Sequence, residues 1–119
     1  MSDEVDSIRA LTADIREFAR ERDWEKFHDP KSLLLALVGE VGELAELFQW
    51  VPADDAVAAF ADPDRRQRAG EEVSDVLIYL LRLADVLDID LPRAAHAKLV
   101  DSHRRFAADA VLGIAPKKE

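Results

Sequence analysis

The sequence predicts an all-α protein that folds as a single domain around a four-helix bundle. Apolar residues recur at steps of three and four along most of the chain, which is the spacing of amphipathic helices. An aspartate followed by proline at positions 29–30 and 62–63 marks two helix starts, because aspartate caps a helix and proline is favoured in its first turn. No segment alternates polar and apolar residues as a half-buried strand does.

Four long helices joined by short connections follow from these signals, as in a helical bundle. Segment 53–61 is predicted as a short helix or a loop, and the domain is expected to cover residues 1–112, with a flexible tail at 113–119. Aspartate is the expected N-cap of the second, third and fourth helices. In chain order, the four predicted helices cover residues 5–22, 29–48, 62–87 and 90–110.

Composition narrows the class of protein. The chain has 119 residues, of which 49% are apolar and 34% charged, as expected of one globular domain. Its net charge of −9 disfavours binding to polymeric nucleic acid, which depends on basic contacts to phosphates. The absence of cysteine excludes disulfides and thiolate metal sites. No segment approaches the ~20 apolar residues of a membrane span, and the acidic start is unlike a signal peptide, so a cytoplasmic location is expected.

Two acidic pairs lie where apolar residues belong. On a helical wheel, Glu40 falls within about 40° of Leu44, inside the apolar stripe of the second helix, with Glu43 one turn later at its edge. Glu72 and Asp75 repeat this arrangement on the third long helix, in the same phase relative to its apolar face. If the two faces meet in one core, four carboxylates converge.

Four ionised carboxylates in a partly buried place repel one another, and a divalent cation relieves the conflict. Oxygen ligands favour Mg²⁺, Mn²⁺ or Ca²⁺, and Mg²⁺ commonly shares its shell with substrate phosphates. The alternative is two ordinary solvated helix faces, which is the usual role of one such pair. A di-iron bundle is a weaker alternative, because it requires two Glu-x-x-His motifs and the sequence has only Glu25 with His28.

The pattern Glu40-x-x-Glu43 followed by Glu72-x-x-Asp75 resembles the metal-binding signature of the all-α MazG-like nucleotide pyrophosphohydrolases. Segments 23–28, 33–50 and 71–80 resemble the dCTP pyrophosphatase branch of that family, and the resemblance covers roughly residues 8–106. It implies a MazG-like bundle in which these four carboxylates are both the metal ligands and the catalytic residues for Mg²⁺, with Mn²⁺ as a substitute. The implied reaction releases pyrophosphate and a nucleoside monophosphate.

The resemblance also implies a set of aromatic and basic residues that bind the substrate, although ordinary core packing is the alternative for each aromatic. This chain departs from the family pattern at two places: Ser102 replaces an asparagine, and Ile15 replaces a histidine that some members carry. Both departures leave the base and sugar preference open. The implied substrate-binding residues are Trp24, Phe27, His28, Trp50, Tyr79, Lys98 and Arg105.

The sequence also favours a homo-oligomer, a dimer or a dimer of dimers. The third long helix is apolar over an arc of about 220°, whereas a helix that faces one core needs a stripe only somewhat wider than about 100°. A second subunit would cover the excess, and the family resemblance implies the same. The alternative is that segment 53–61 folds back as a lid over this face.

Three functions are compatible with these observations. The first is hydrolysis of a deoxynucleoside triphosphate, dCTP or a modified pyrimidine nucleotide, with removal of such nucleotides from the pool as its purpose. The second is the same chemistry on dUTP or on nucleoside triphosphates in general. The third is a non-catalytic helical module that binds metal or nucleotide and acts through partners.

Overall fold

The computed structural model of the protein describes residues 3–115, with side chains from residue 7 onward, and this part of the chain is helical without a strand. The predicted all-α fold is therefore confirmed. Short 3₁₀ turns at Glu25–Phe27 and Ala53–Asp55 occur in the connections. The helices are α1 (Asp3–Glu21), α2 (Pro30–Glu46), α3 (Ala56–Ala59), α4 (Pro63–Val86), α5 (Leu91–Arg105) and α6 (Ala108–Val111).

All three aspartates that the sequence indicates as N-caps cap a helix. The side chains of Asp29, Asp62 and Asp90 each accept a hydrogen bond from the backbone N–H three residues later, at 2.9, 3.1 and 3.2 Å. Proline occupies the first turn of each of these helices. Because both signals are local, the helix starts are encoded in segments of a few residues.

Helices α1 and α4 end in the same way, without a glycine. Asp23 has a φ of 54°, and the N–H of Trp24 donates to the carbonyl of Ala19 at 2.9 Å. This is the Schellman arrangement, in which a left-handed residue lets the chain reverse over the last turn. Asp88, with a φ of 57°, has the same place after α4.

The predicted fourth helix is five residues too long. Helix α5 ends at Arg105, and α6 follows after a break. Phe106 leaves the helical region, with φ −119° and ψ 72°, while its N–H still donates to the carbonyl of Ser102 at 2.9 Å. No glycine or proline accompanies this break, so the sequence did not show it. Segment 53–61, predicted as a short helix or a loop, forms a 3₁₀ turn followed by α3.

The chain divides into two compact units, one up to Ile89 and one from Asp90 onward. In the first unit, α4 packs against both α1 and α2. Its buried apolar residues are Ala19, Leu33, Leu81 and Ala84. The second unit contains α5 and α6.

The predicted boundary of the domain at residue 112 stays a prediction. Gly113 lies in the left-handed region with a φ of 73°, and residues 116–119 of the predicted tail lie outside the described residues. Within residues 3–115, no helix combines the length and the apolar character needed to cross a membrane.

Candidate active site

The packing of α2 against α4 brings three of the four predicted carboxylates together. Glu40, Glu43 and Glu72 each offer one oxygen, and these oxygens lie within 4.8 Å of one another. Asp75 lies outside this group, but its charge still raises the pKa of Glu40 and of Glu72. The result is a compact acidic cluster with a fourth carboxylate beside it.

The cluster is electrostatically unsatisfied. Oε2 of Glu40 and Oε2 of Glu72 are both buried and have no hydrogen-bond partner among the described residues. The pKa of Glu40 is raised, chiefly by burial and then by the charge of Glu43. The pKa of Glu72 is raised by the same two causes, which the nearby charge of Arg68 partly offsets. Buried oxygens without partners are unusual in folded proteins, and a bound ion or a water molecule would satisfy them.

A divalent cation fits this set of donors. All the available ligand atoms are carboxylate oxygens, which suit hard cations such as Mg²⁺ rather than zinc or copper. Glu40 and Glu72 each contribute an oxygen that nothing else in the described residues satisfies, and a cation would satisfy both. The chemistry of the donors, rather than their number alone, therefore supports a metal centre.

A cavity of 770 Å³ opens beside the cluster and has a mixed lining. Glu43 and Glu72 reach it from the cluster, Trp50 lies on its wall, and Arg65 and Arg68 line it from the first half of α4. This volume is within the range of about 300–1,000 Å³ that small-molecule sites occupy. The cavity thus combines acidic, basic and aromatic groups in a space large enough for a nucleotide.

Trp50 is free to contact a ligand. Its side chain is 87% exposed, and it lies in the turn that follows α2. In the same region, Phe48 stacks on Phe60, with ring centroids 4.4 Å apart, so the end of α2 is held against the segment after α3. Segment 53–61 therefore contributes to the cavity wall. On α4, the helix that the alternative lid would cover, Val73 and Ile78 stay 52% and 40% exposed.

The predicted substrate residues at positions 24–28 are not part of this cavity. Trp24 makes an edge contact with Phe18 at 5.7 Å between ring centroids, and Phe27 is 60% exposed. The structure places these residues in the connection before α2, whereas Trp50 follows that helix. Their role in substrate binding, which the family resemblance implies, stays a prediction.

His28 belongs to a hydrogen-bonded network that ties the connection before α2 to α4 and α1. The buried Arg82 donates from Nε to Nδ1 of His28 at 3.0 Å and from a terminal nitrogen to Asp85 at 3.1 Å. Arg16 completes the network with two bonds to Asp85, at 2.8 and 2.6 Å. Because a guanidinium only donates, Nδ1 of His28 must accept, which selects the neutral tautomer with its proton on Nε2. Burial, followed by the charge of Arg82, lowers the pKa of His28 accordingly.

Three more predicted substrate residues lie elsewhere. Tyr79 is half-buried on α4, one turn after Asp75. Lys98 and Arg105 are on α5 in the second unit, where Arg105 lies 4.0 Å from Asp101. None of these three residues lines the cavity, and their predicted roles in substrate binding stay predictions.

Sequence reasoning missed Arg65 and Arg68. A signal was present, because Arg65, Arg68 and Glu72 are spaced by three and then four residues and therefore share one face of a helix. Their relation to Trp50 had no such signal, since Trp50 reaches the same cavity from a different element.

Comparison with known proteins shows the family. The chain is 50% identical over 113 residues to dCTP pyrophosphatase 1 of Bos taurus, which covers 95% of this chain and 65% of the bovine protein. It is 52% identical over 104 residues to dCTP pyrophosphatase 1 of Homo sapiens, covering 87% and 59%. A crystal structure of a pyrophosphatase from Archaeoglobus fulgidus matches with a TM-score of 0.78 and 36% identity, covering 85% of this chain and 93% of the archaeal one. No protein-family model matches the chain.

At 36% identity over nearly the whole archaeal chain, the likeness extends beyond the fold to the family. The class that fold and site define is that of the MazG-like nucleotide pyrophosphohydrolases. This chain belongs to that family, as its likeness to the archaeal pyrophosphatase shows. It spans less than two thirds of the length of the curated mammalian relatives described above.

Proposed function

We propose that the protein hydrolyses a deoxynucleoside triphosphate to the monophosphate and pyrophosphate, with dCTP or a modified pyrimidine nucleotide as substrate. The observation that carries this proposal is the unsatisfied carboxylate cluster beside a cavity with an exposed tryptophan and two arginines. The name of the relatives supports dCTP, since they are dCTP pyrophosphatases. Removal of unwanted nucleotides from the pool is the purpose that follows.

The cation of this reaction is proposed to be Mg²⁺, with Mn²⁺ as a substitute, held by Glu40, Glu43, Glu72 and Asp75. Such an ion supplies charge neutralisation on the phosphates and lowers the pKa of a water molecule. The chain's own residues position the substrate. The carboxylates hold the cation at one end of the cavity, and the ring of Trp50 provides a surface on which the base stacks. Trp24, Phe27, His28, Tyr79, Lys98 and Arg105 remain proposed substrate residues on the resemblance alone.

Product analysis tests the reaction. With dCTP and Mg²⁺, we expect dCMP and pyrophosphate as the products on ion-exchange chromatography, and no turnover in EDTA. A panel of the common NTPs and dNTPs under the same conditions separates a dCTP preference from activity on dUTP or on triphosphates in general. Release of a diphosphate with orthophosphate would refute the proposal, and absence of turnover with the whole panel would favour the non-catalytic module.

Trp50→Ala should weaken binding of the substrate more than it slows the chemistry. The side chain is 87% exposed beside the cavity, so its removal costs little packing. Stacking of a base on an aromatic ring is worth roughly 1–3 kcal/mol, so KM should rise by about tenfold or more while most of kcat is retained. Steady-state kinetics with dCTP give both values, and a large loss of kcat at an unchanged KM would contradict a base-binding role.

We also propose that the protein is a homo-oligomer that uses the exposed face of α2. Leu34, Leu35, Val38 and Val41 are between 47% and 61% exposed, and Val73, Ile78 and Leu80 on α4 are between 38% and 52% exposed. Positions 34, 38 and 41 follow the four-then-three spacing of helices that pack against a partner helix. So many exposed apolar side chains on two helices that pack together favour an interaction surface, and a two-fold dimer is the simplest way to cover it.

Light scattering coupled to size exclusion tests the assembly. We expect a dimer or a tetramer at low micromolar concentration, and a shift toward monomer in Val38→Glu, since the new charge would be buried at the interface. The matched control is Val57→Glu, because Val57 is 90% exposed on α3 and is not one of the α2 and α4 residues proposed for the interface, so the mass should stay unchanged. A wild-type monomer that is fully active would refute the proposal. A cytoplasmic location stays a prediction, which cell fractionation can check.

A further inference from the structure

Two arginines of α4 line the cavity from the same side of the helix as Glu72. At about 100° per residue around the helix axis, Arg65 and Glu72 are aligned to within about 20°, and Arg68, which lies between them in the sequence, is about 40° from Glu72 and about 60° from Arg65. Along the helix axis, Arg68 is about 6 Å and Arg65 about 10 Å from Glu72. Two guanidinium groups in a row therefore extend from the carboxylate cluster along the cavity wall.

Neither guanidinium is engaged within the described part of the protein. Other arginines in the described part of the chain form ion pairs with carboxylates, among them Arg16, Arg20, Arg22, Arg82 and Arg105.

Arg65 makes only a backbone contact, through its N–H to the cap residue Asp62, and its side chain has no described hydrogen-bond or ion-pair partner. Arg68 lowers the pKa of Glu72 by its charge, yet Oε2 of Glu72 is left without a hydrogen-bond partner. The two side chains are thus available to a ligand.

The lining of the cavity carries both signs of charge. Four carboxylates line the cavity beside the two arginines: Glu43, Glu46, Asp55 and Glu72. A divalent cation at the cluster would offset the charge of Glu43 and Glu72, and the two guanidinium groups would then equal the remaining acidic side chains, Glu46 and Asp55, in charge. Arginine binds phosphate oxygens with two parallel hydrogen bonds, which gives both strength and orientation. A ligand with several phosphates in a row matches two arginines in a row.

We propose that Arg65 and Arg68 bind the phosphate chain of the substrate and select a triphosphate over a monophosphate. This inference rests on the proposed function only in one respect, that the phosphate chain belongs to a nucleotide. The two side chains recognise the phosphates themselves. Arg65 and Arg68 are thus specificity determinants that contact the phosphates. The carboxylate cluster, which includes Glu72, lies at one end of the row that these two arginines form along α4.

Titration calorimetry with inorganic tripolyphosphate and Mg²⁺, at fixed ionic strength, tests the inference without turnover. Each of Arg65→Ala and Arg68→Ala should weaken binding by about tenfold or more, as expected for a lost hydrogen bond to a charged group, and the double variant should weaken it further. Arg65→Lys and Arg68→Lys should restore part of the affinity, since lysine keeps the charge but not the paired donors. The matched control is Arg66→Ala. It removes the same charge from α4, but Arg66 is about 100° from Arg65 around the helix axis and does not line the cavity.

The outcomes separate this inference from the proposed reaction. If the inference holds, the double variant raises KM for dCTP and narrows the affinity gap between dCTP and dCMP, while Arg66→Ala stays close to wild type. Wild-type protein that binds tripolyphosphate through these arginines but hydrolyses no nucleotide supports the inference and refutes the reaction. Protein that hydrolyses dCTP but whose double variant behaves as Arg66→Ala, or wild type that does not bind tripolyphosphate, overturns the inference.

Discussion

Glu40→Gln should lose turnover and keep its fold. Glu40 lies in the carboxylate cluster with Glu43 and Glu72, and one of its oxygens is buried without a partner. Mutation of residues that only support a metal ligand typically costs 10–100-fold, so replacement of a ligand itself should lower kcat/KM by more than about a hundredfold. Kinetics with dCTP at saturating Mg²⁺ measure this loss.

The same variant should be at least as stable as wild type when the metal is removed. Burial and the charge of Glu43 raise the pKa of Glu40, so the folded protein disfavours the ionised form. A carboxyl group with a raised pKa lowers the stability of the fold at pH values above its ordinary pKa of 4.5, and this disadvantage disappears as the pH falls. Glutamine carries no charge, and its amide can donate to the neighbouring carboxylates.

Thermal unfolding in EDTA should therefore show a higher or equal midpoint for Glu40→Gln at pH 7, and the difference should close as the pH approaches 4.5. The matched control is Glu71→Gln on α4, where the exposed carboxylate accepts a hydrogen bond from Gln67. This control should change neither turnover nor the pH dependence. A Glu40→Gln protein that unfolds far below wild type in EDTA would indicate a structural carboxylate instead of a metal ligand.

Asp85→Ala should destabilise the fold by about 3 kcal/mol, the lower end of the range for removing one partner of a buried ion pair. The carboxylate accepts from Arg82, whose side chain is 8% exposed, and from Arg16, whose side chain is 53% exposed. Without Asp85, the buried guanidinium of Arg82 retains only the bond to His28. For a chain of this size we expect the unfolding midpoint to fall by roughly 10 °C.

The effect should depend on pH with a defined sign. Hydrogen bonds from Arg16 hold the pKa of Asp85 below its ordinary value of 3.8, despite burial, which acts in the opposite direction. The stability that Asp85 contributes is therefore complete above pH 3.8 and is lost as the pH falls through the lowered pKa. Chemical unfolding from pH 7 to pH 2 should show the gap between wild type and Asp85→Ala closing only in acid.

Arg16→Ala is the control for the network. It removes the ion pair between Asp85 and the half-exposed Arg16, which we expect to be worth about 1 kcal/mol because exposed pairs contribute about 0–1 kcal/mol, and it leaves Arg82 paired with Asp85. If Arg16→Ala destabilises the protein as much as Asp85→Ala, the buried pair between Arg82 and Asp85 is not the source of the stability.

Local signals in the sequence predicted the helices well at their starts and less well at their ends. The caps at Asp29, Asp62 and Asp90 act through bonds to residues only three positions away, so their effect is present in any short segment. The end of α5 at Arg105 has no such signal, because Phe106 carries no special backbone preference. That break depends on surroundings that the local pattern does not contain.

The candidate site divides in the same way. Helical periodicity placed Glu40 and Glu72 inside the apolar stripes of their helices, with Glu43 and Asp75 at the edges, because the phase of a residue on one helix is a property of its sequence position. Which carboxylates meet depends on how α2 packs against α4. This packing brings one oxygen each of Glu40, Glu43 and Glu72 within 4.8 Å of one another, while Asp75 stays outside the group.

The sequence by itself determined the all-α class, the positions where three helices begin and the acidic pattern that resembles the metal-binding signature of the family. Only the tertiary structure decided that Arg65 and Arg68 share a cavity with Trp50, and that the ring nitrogen of His28 accepts from Arg82, a residue 54 positions away. The physical reason is the separation along the chain over which each interaction acts. Capping and periodicity act within a few residues, whereas cavities and buried pairs form between segments that only the packing of helices brings together.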